Sequence, residues 1–325
     1  MKLPRRRFLH LAVGITALPA ASRIARAQVY PTRSVRLFEG FGGGSSADIS
    51  ARLISQWLSE RLGQPFVVEN RTGAGSNIAT EAVVTAPPDG YTLLTCVTAN
   101  AINATLYEKL NFNFIRDIAA VAGLLRLPLV VVVNKSLPAK TLPEFIAYAK
   151  TNPGKMNMAS FGNGSGPHVA GELFKMMTGV NIAHVPYRGP APAFTDLLAG
   201  QVQVMFVAAP AGIGYIRSGE LRPLAVASAT RWSELPNLPA VAEFVPGYEA
   251  SGWIGIGAPR GTSAAIIDKL NGNINAGLAD PQLNARIKSL GAVPMPMTPT
   301  EFETFMADET EKWAKVIKFA DIKLD

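Results

Sequence analysis

The chain is poor in the residues that staple a fold, catalyse or bind metals. It has one cysteine, Cys96, and three histidines in 325 residues. A single cysteine excludes an internal disulfide, so the fold must rest on its own core, which about 300 residues can supply. Cys96 lies in the strand-like run Tyr91-Thr92-Leu93-Leu94-Thr95-Cys96-Val97 and reads as a buried strand residue. A catalytic thiol needs a histidine nearby, and only His168 and His184 follow the first 27 residues. His168 and Glu172 stand four apart, a spacing that can bind metal on a helix. No H-E-x-x-H motif accompanies them, and neither a metal nor a cofactor is expected. No apolar run approaches the roughly 20 residues that span a bilayer.

Acidic residues are missing from residues 1–27, which carry six of the 31 lysines and arginines. This segment has a basic start (Lys2, Arg5, Arg6, Arg7), a short apolar stretch from Leu9 to Ala21, and Ala25-Arg26-Ala27 as a small-x-small cleavage site. Arg5-Arg6-Arg7-Phe8-Leu9 resembles the twin-arginine export signal. The expectation is export followed by cleavage near Ala27. The remaining chain has 25 basic and 24 acidic side chains, so the basic excess belongs largely to the leader. Binding to nucleic acid or to a membrane surface is therefore not expected.

Apolar runs and helical patterns alternate almost without a break, which argues for an α/β fold with mostly parallel sheets. Strands are expected at Val35–Glu39, Phe66–Glu69 and Tyr91–Val97, with helices after the first two. Leu127–Val133 is a nearly continuous apolar run, as in a strand covered on both faces. A second β-turn-α series runs from Met156 to Ser228, and helices fill most of the chain after Ser263. Length suggests two domains. The runs near 127–133 and 253–257 read as crossings between them. Residues 28–124 and 251–325 are assigned to the first domain and 125–250 to the second.

Catalytic templates fail in turn. No glycine turn ends in Gly-Lys-Ser/Thr, G-x-G-x-x-G is absent from Gly40–Ser46, and Asn163 and Pro167 around Ser165 break G-x-S-x-G. What is present is a pair of glycine turns. Gly40-Phe41-Gly42-Gly43-Gly44-Ser45-Ser46-Ala47-Asp48 and Arg71-Thr72-Gly73-Ala74-Gly75-Ser76-Asn77 each follow a strand and open a helix. Glycine permits close backbone approach, and a helix N-terminus offers unpaired N–H groups with partial positive charge. Two such turns on neighbouring strands can hold a small anionic group, or can simply connect strand to helix tightly. Phe161-Gly162-Asn163-Gly164-Ser165-Gly166 can face them from the second domain.

Ordered blocks over the whole chain after Tyr30 then carry a resemblance. They include Gly63-Gln64-Pro65-Phe66-Val67-Val68-Glu69-Asn70-Arg71, Gly73-Ala74-Gly75-Ser76-Asn77-Ile78 and Ala86-Pro87-Pro88-Asp89-Gly90-Tyr91-Thr92-Leu93. Ala101-Ile102-Asn103, His184-Val185-Pro186-Tyr187-Arg188-Gly189 and Asp196-Leu197-Leu198-Ala199-Gly200-Gln201-Val202 continue it. The sequence resembles the Bordetella uptake gene family, the extracytoplasmic solute receptors of tripartite tricarboxylate transporters. The resemblance implies a periplasmic, two-domain Venus-flytrap receptor of type II-like architecture that closes on a small carboxylate. It further implies that the receptor is monomeric, is not an enzyme, and partners the integral membrane subunits of a transporter; a receptor acting as the periplasmic partner of a sensor kinase is an alternative reading. By the same carry-over, Phe41, Gly44, Ser45, Ser46, Ala74, Gly75 and Ser76 hold the near end of the ligand. Thr98 and Asn100 flank the cleft, and Gly164, Ser165, His168 and Tyr187 close over it. Asp48 is read as a residue that orders the first turn.

Three positions depart from the family pattern. The first turn lacks the usual prolines, which makes it more flexible. Glu39 stands where an apolar residue is usual; it reads as an exposed charge at the strand's edge, or else as a charge beside the site that disfavours a second acidic group. Phe206-Val207 lacks an acid found in many relatives, which favours a carboxylate without an α-amine. The competing reading is an exported hydrolase using Ser165 and His168, for which no acid partner is identifiable.

Overall fold

The computed structural model describes residues 30–324; the expected leader, its twin-arginine pattern and the cleavage near Ala27 lie outside the described residues. The chain opens with β1 (Val35–Glu39), α1 (Ser46–Leu62), β2 (Phe66–Asn70), α2 (Asn77–Val84), β3 (Thr92–Val97), α3 (Thr98–Leu106), α4 (Phe114–Asp117) and β4 (Ile118–Leu127). It continues with β5 (Leu129–Asn134), α5 (Leu142–Thr151), β6 (Asn157–Ser160), α6 (Gly166–Thr178), β7 (Ala183–Pro186), α7 (Pro190–Ala199), β8 (Val204–Ala208), α8 (Ala209–Arg217) and β9 (Leu221–Val226). It ends with β10 (Gly252–Pro259), α9 (Ala264–Ala279), α10 (Pro281–Ser289), β11 (Val293–Pro294) and α11 (Pro299–Phe319). Local chemistry sets many of these limits. Ser45 caps α1 by accepting from the Asp48 N–H, Gly63 stops it at φ 71°, and Thr298 with Glu301 forms a capping box on α11.

The strands form two sheets, ordered β11-β4-β10-β3-β1-β2 and β7-β6-β8-β5-β9. Both are mixed, with antiparallel pairings at least as numerous as parallel ones, where the alternation suggests mostly parallel sheets. β10 runs antiparallel to β3 and β4, and β5 antiparallel to β8 and β9. The expected single strand over 127–133 is instead two. Pro128, with no N–H to donate, divides β4 in the first sheet from β5 in the second. The chain returns to the first sheet at β10. α3 and β4 were not anticipated. β4 reads Ile-Ala-Ala-Val-Ala-Gly-Leu-Leu-Arg-Leu, and its alanines and glycine have little strand preference, so its burial comes from tertiary packing.

α11 fastens the two halves, lying against α3 and β4 on one side and α6 on the other. Phe302, Met306, Trp313, Val316 and Ile317 are its buried residues, together with a carboxylate, Glu309. Glu309 Oε2 accepts from the indoles of Trp253 and Trp313, each at 3.0 Å, and Oε1 pairs with Lys312. Lys312 also donates to the carbonyl of Glu249 at 3.0 Å, just before β10. Gly255 of β10 is where the helix comes closest: a Cβ there would lie 2.1 Å from Phe302 Cζ and 2.8 Å from the Ala122 carbonyl.

In the second sheet, His184 of β7 stacks on His168 of α6, with ring centres 3.5 Å apart and planes within 7°. His168 Nδ1 accepts the Gly164 N–H at 3.1 Å, and His184 Nε2 lies 2.6 Å from Ser160 Oγ. An Nδ1 that accepts is unprotonated, so this geometry requires a neutral His168. Burial, with Lys175 nearby, holds His168 down at about 3 and His184 at about 4.

Two outcomes follow from this packing. Gly255→Ala should lower stability by about 1–3 kcal/mol through overpacking, whereas Gly272→Ala, on an open face of α9, should be neutral or stabilising; equal midpoints in a thermal melt would contradict the contact. Both histidine pKa values lie below the ordinary value of 6.5, so the unfolded chain binds more protons beneath about pH 6.5. The stability that they contribute is therefore complete above that pH and declines as pH falls toward 4. His184→Asn should flatten the fall in melting temperature between about pH 6.5 and pH 5; an unchanged slope would show that the pair is charged or solvated.

Candidate ligand site

β1, β2 and β3 are parallel, so their carboxyl ends share one edge of the first sheet, where the two glycine turns and the start of α3 lie. β6, β7 and β8 are parallel in the second sheet and likewise bring the turns after Ser160, Pro186 and Ala208 to one edge. The two edges meet: a Cβ on Gly164 would fall 2.3 Å from Leu106 Cδ2 at the end of α3. Carboxyl-end edges are where open α/β sheets bind ligands.

The first turn is built around buried carboxylates. Asp48 Oδ2 accepts the Gly44 N–H at 3.0 Å, and Arg52 pairs with both carboxylate oxygens at 3.0 and 2.8 Å. The Arg52 hydrogen bond, above all, holds Asp48 down at about 2. Glu39 is not the exposed edge charge that strand position alone suggests; its residue exposure is 0%. Both of its carboxylate oxygens lie 2.9 Å from the Phe41 N–H, and Oε2 accepts from Asn70 Nδ2 at 2.9 Å. The strand end is covered because Asn70 lies opposite Glu39 in the register and α1 starts over it. Burial pushes the Glu39 carboxyl above its usual range. Asn70 Nδ2 also reaches the Phe41 carbonyl at 3.0 Å and Asp48 Oδ1 at 2.9 Å, while Arg52 donates to Asn70 Oδ1.

The second turn is strained. Gly73, Ala74, Gly75 and Ser76 have φ of 129°, 45°, 60° and 80°. Ala74 and Ser76 occupy the left-handed region without the excuse of a missing Cβ, at a cost of about 1–2 kcal/mol each. Neighbouring side chains hold them there. Asn103 Nδ2 donates to the Gly75 carbonyl at 2.8 Å and to Asn77 Oδ1 at 3.0 Å, and the Thr80 hydroxyl donates to the Ser76 carbonyl at 2.9 Å. A Cβ on Gly40 would lie 2.2 Å from Ser76 Oγ, so only glycine there lets the two turns touch.

The side chains on these turns serve mainly to fix the backbone. Ser45 Oγ caps Asp48, and Ser76 is fully buried with its Oγ 3.5 Å from Asn100 Nδ2. Asn100 Oδ1 accepts the Val97 N–H at 2.7 Å, and Thr98 Oγ1 accepts the Trp253 N–H at 2.8 Å. In the second sheet Ser165 Oγ donates to the Gly162 carbonyl at 2.7 Å, and the Tyr187 hydroxyl donates to Asp196 at 2.6 Å. Burial first, then Asp196, pushes the Tyr187 phenol up to about 12. Ser165 and His168 therefore bond elsewhere and do not form a nucleophile–base pair. What the turns leave open is backbone. Among the described residues, the N–H groups of Gly43, Ser46, Ala47, Ala74 and Gly75 have no hydrogen-bond acceptor. The trans peptide sets the Gly75 N–H opposite the Ala74 carbonyl, which faces Asn103, so that donor points away from α3. A cavity of about 580 Å³ lies between α6, His184 and the tail after α11, and it is lined by His168, which the resemblance places over the ligand but which is buried against His184. Its lining is charge-balanced, Lys175 on Glu172 and Lys323 on Asp321, and holds none of these open donors.

Asn70, Asn103 and Arg52 were not singled out from sequence as builders of the site. The available signal was an amide at a strand end and two more, Asn100 and Asn103, three apart on one face of α3.

Comparison with known proteins agrees with this architecture. Residues 50–322 match the tripartite tricarboxylate transporter family receptor. Protein BugT of Bordetella pertussis is 37% identical over 301 residues, covering 92% of each chain. Among solved structures, R. palustris Rpa4515 with adipate is 38% identical with a TM-score of 0.76, covering 90% of this chain and 99% of that one. MatC (Rpa3494) from Rhodopseudomonas palustris with bound malate is 31% identical with a TM-score of 0.72, covering 89% and 100%. With the two-sheet α/β architecture and this match over most of its length, the chain belongs to the tripartite tricarboxylate transporter receptor family of periplasmic solute-binding proteins.

Proposed function

We propose that this chain captures a small organic acid by one carboxylate, held by the open N–H groups of the two glycine turns. The ligand is enclosed by the turns at Gly164–Ser165 and Tyr187 and handed to the membrane subunits of a tripartite tricarboxylate-type transporter. The two bodies that close are built on the two sheets, residues up to Leu127 with 252–325 on the first and residues 129–250 on the second; the boundary falls at Pro128 and not at 124, because β4 stays paired to β10 through Leu127. The observation that carries this reading is the set of unpaired amides on two interlocked turns, one of them kept in a left-handed conformation by Asn103. Amides at the start of α1 add the partial positive charge of a helix N-terminus. Charge-assisted bonds of this kind contribute about 1.5–3 kcal/mol each. Such a site binds by geometry and needs no arginine.

Relatives with adipate and malate bound support a carboxylate ligand without an amino group. So does β8, where Phe206 and Val207 are buried in the core and supply no acid for an ammonium. The reading includes export on residues 1–27 with cleavage near Ala27, a monomeric receptor, and binding without turnover.

A thermal-shift screen of organic acids tests it. A bound carboxylate at about a hundred times its Kd should add about 2.7 kcal/mol and raise the midpoint, with malate acting more strongly than aspartate. A shift from an unrelated solute and from no carboxylate would contradict the site. Gly43 sharpens the test, because nothing lies within 4 Å of a Cβ built there. Gly43→Leu should leave the unliganded midpoint in place and abolish the shift; an intact shift would show that the turn is only a connector.

A further inference from the structure

Glu39 is a buried negative charge beside the first turn; among the described residues no cation hydrogen-bonds or ion-pairs with it, and Arg52 feels it only at longer range. From α1, Asp48 and Arg52 face it, and the Arg52 guanidinium is bound bidentate to Asp48. From β2, Asn70 contributes only its neutral amide. The Arg71 guanidinium lies over the Phe38 ring at 3.8 Å and near Glu69. β3, the other neighbour of β1, carries no charged side chain over Thr92–Val97, and burial keeps the Cys96 thiol protonated. Glu39, Asp48 and Arg52 together leave one negative charge at the base of a turn that presents its N–H groups to an anion. The Glu39 carboxylate also accepts the innermost donor of that turn, the Phe41 N–H.

We propose that Glu39 links solute capture to the uptake of one proton, so that the receptor binds its anion more tightly as pH falls. This rests on the carboxylate reading above. An anion brought onto Gly43, Ser46, Ala47, Ala74 and Gly75 adds a second uncompensated charge in a partly dry environment. A proton from solvent adding to a Glu39 oxygen removes the repulsion, and the other oxygen keeps the Phe41 N–H. Burial has already moved this carboxyl toward the neutral form, and the bound anion moves it further. Above both the free and the bound values Glu39 stays ionised and affinity is lowest. Between them one proton enters on binding, and affinity rises by up to about tenfold per pH unit as pH falls. Below both values it is neutral throughout and affinity is highest.

The test is isothermal titration with malate and adipate, in pairs of buffers of different ionisation enthalpy, from about pH 5 to pH 8. Wild type and Glu39→Gln are compared, because protonation of the solute itself appears equally in both. Wild type should take up more protons than the variant, and the variant should bind more tightly at the upper end by about tenfold for each unit that the anion moves Glu39. Equal proton counts would overturn the linkage while leaving the carboxylate reading intact. Zero uptake in wild type across the whole range would overturn it whether or not the variant folds. If no carboxylate binds either protein, the carboxylate reading falls and the linkage with it.

Discussion

The site depends on the side-chain amide of Asn70. From the end of one strand its Nδ2 reaches Glu39, the Phe41 carbonyl and Asp48, all on the neighbouring strand and turn. Asp48 in turn holds the Gly44 N–H and Arg52. One neutral donor group thus keeps two carboxylates close together and fixes the first turn, which has no proline to stiffen it. The second turn touches it through Gly40 and Ser76. Neither turn is positioned by itself.

Order in these turns is what makes backbone recognition feasible. A flexible glycine loop would lose conformational entropy on binding, at about 1–2 kcal/mol per residue. Here that ordering is done on folding by Asn70, Asn103, Thr80 and Ser45, whose side chains are already engaged. On the proposed reading a ligand is met chiefly by amides, and the side chains of Thr98, Asn100 and Ser76 already have their polar atoms occupied. α11 completes the frame by packing against both sheets' helices and anchoring β10 through Glu309, Trp253 and Trp313.

Much of this was legible in the sequence. Strand-turn-helix rhythm located the glycine turns, and family blocks extended from Tyr30 to the end of the chain. What sequence could not show was long-range. A charge at the end of a strand looks solvated until Asn70 is known to cover it, which is why sequence alone left Glu39 open between an exposed edge charge and a charge beside the site. Small residues hid β4, whose strand conformation comes from its neighbours β10 and β11. The apolar run at 127–133 marked the crossing between sheets, but not that Pro128 separates the last residue of β4 from β5 within it. Left-handed Ala74 and Ser76 are invisible to any propensity, because their conformation is imposed by Asn103 and Thr80.

The central claim is that a carboxylate is held by the backbone of both turns at once. Amide chemical shifts during titration with adipate report on it directly. The account predicts large downfield proton shifts at Ser46 or Ala47 and at Ala74 or Gly75, moving together with one binding constant. Binding that leaves these amides unmoved, or moves one turn without the other, would contradict it.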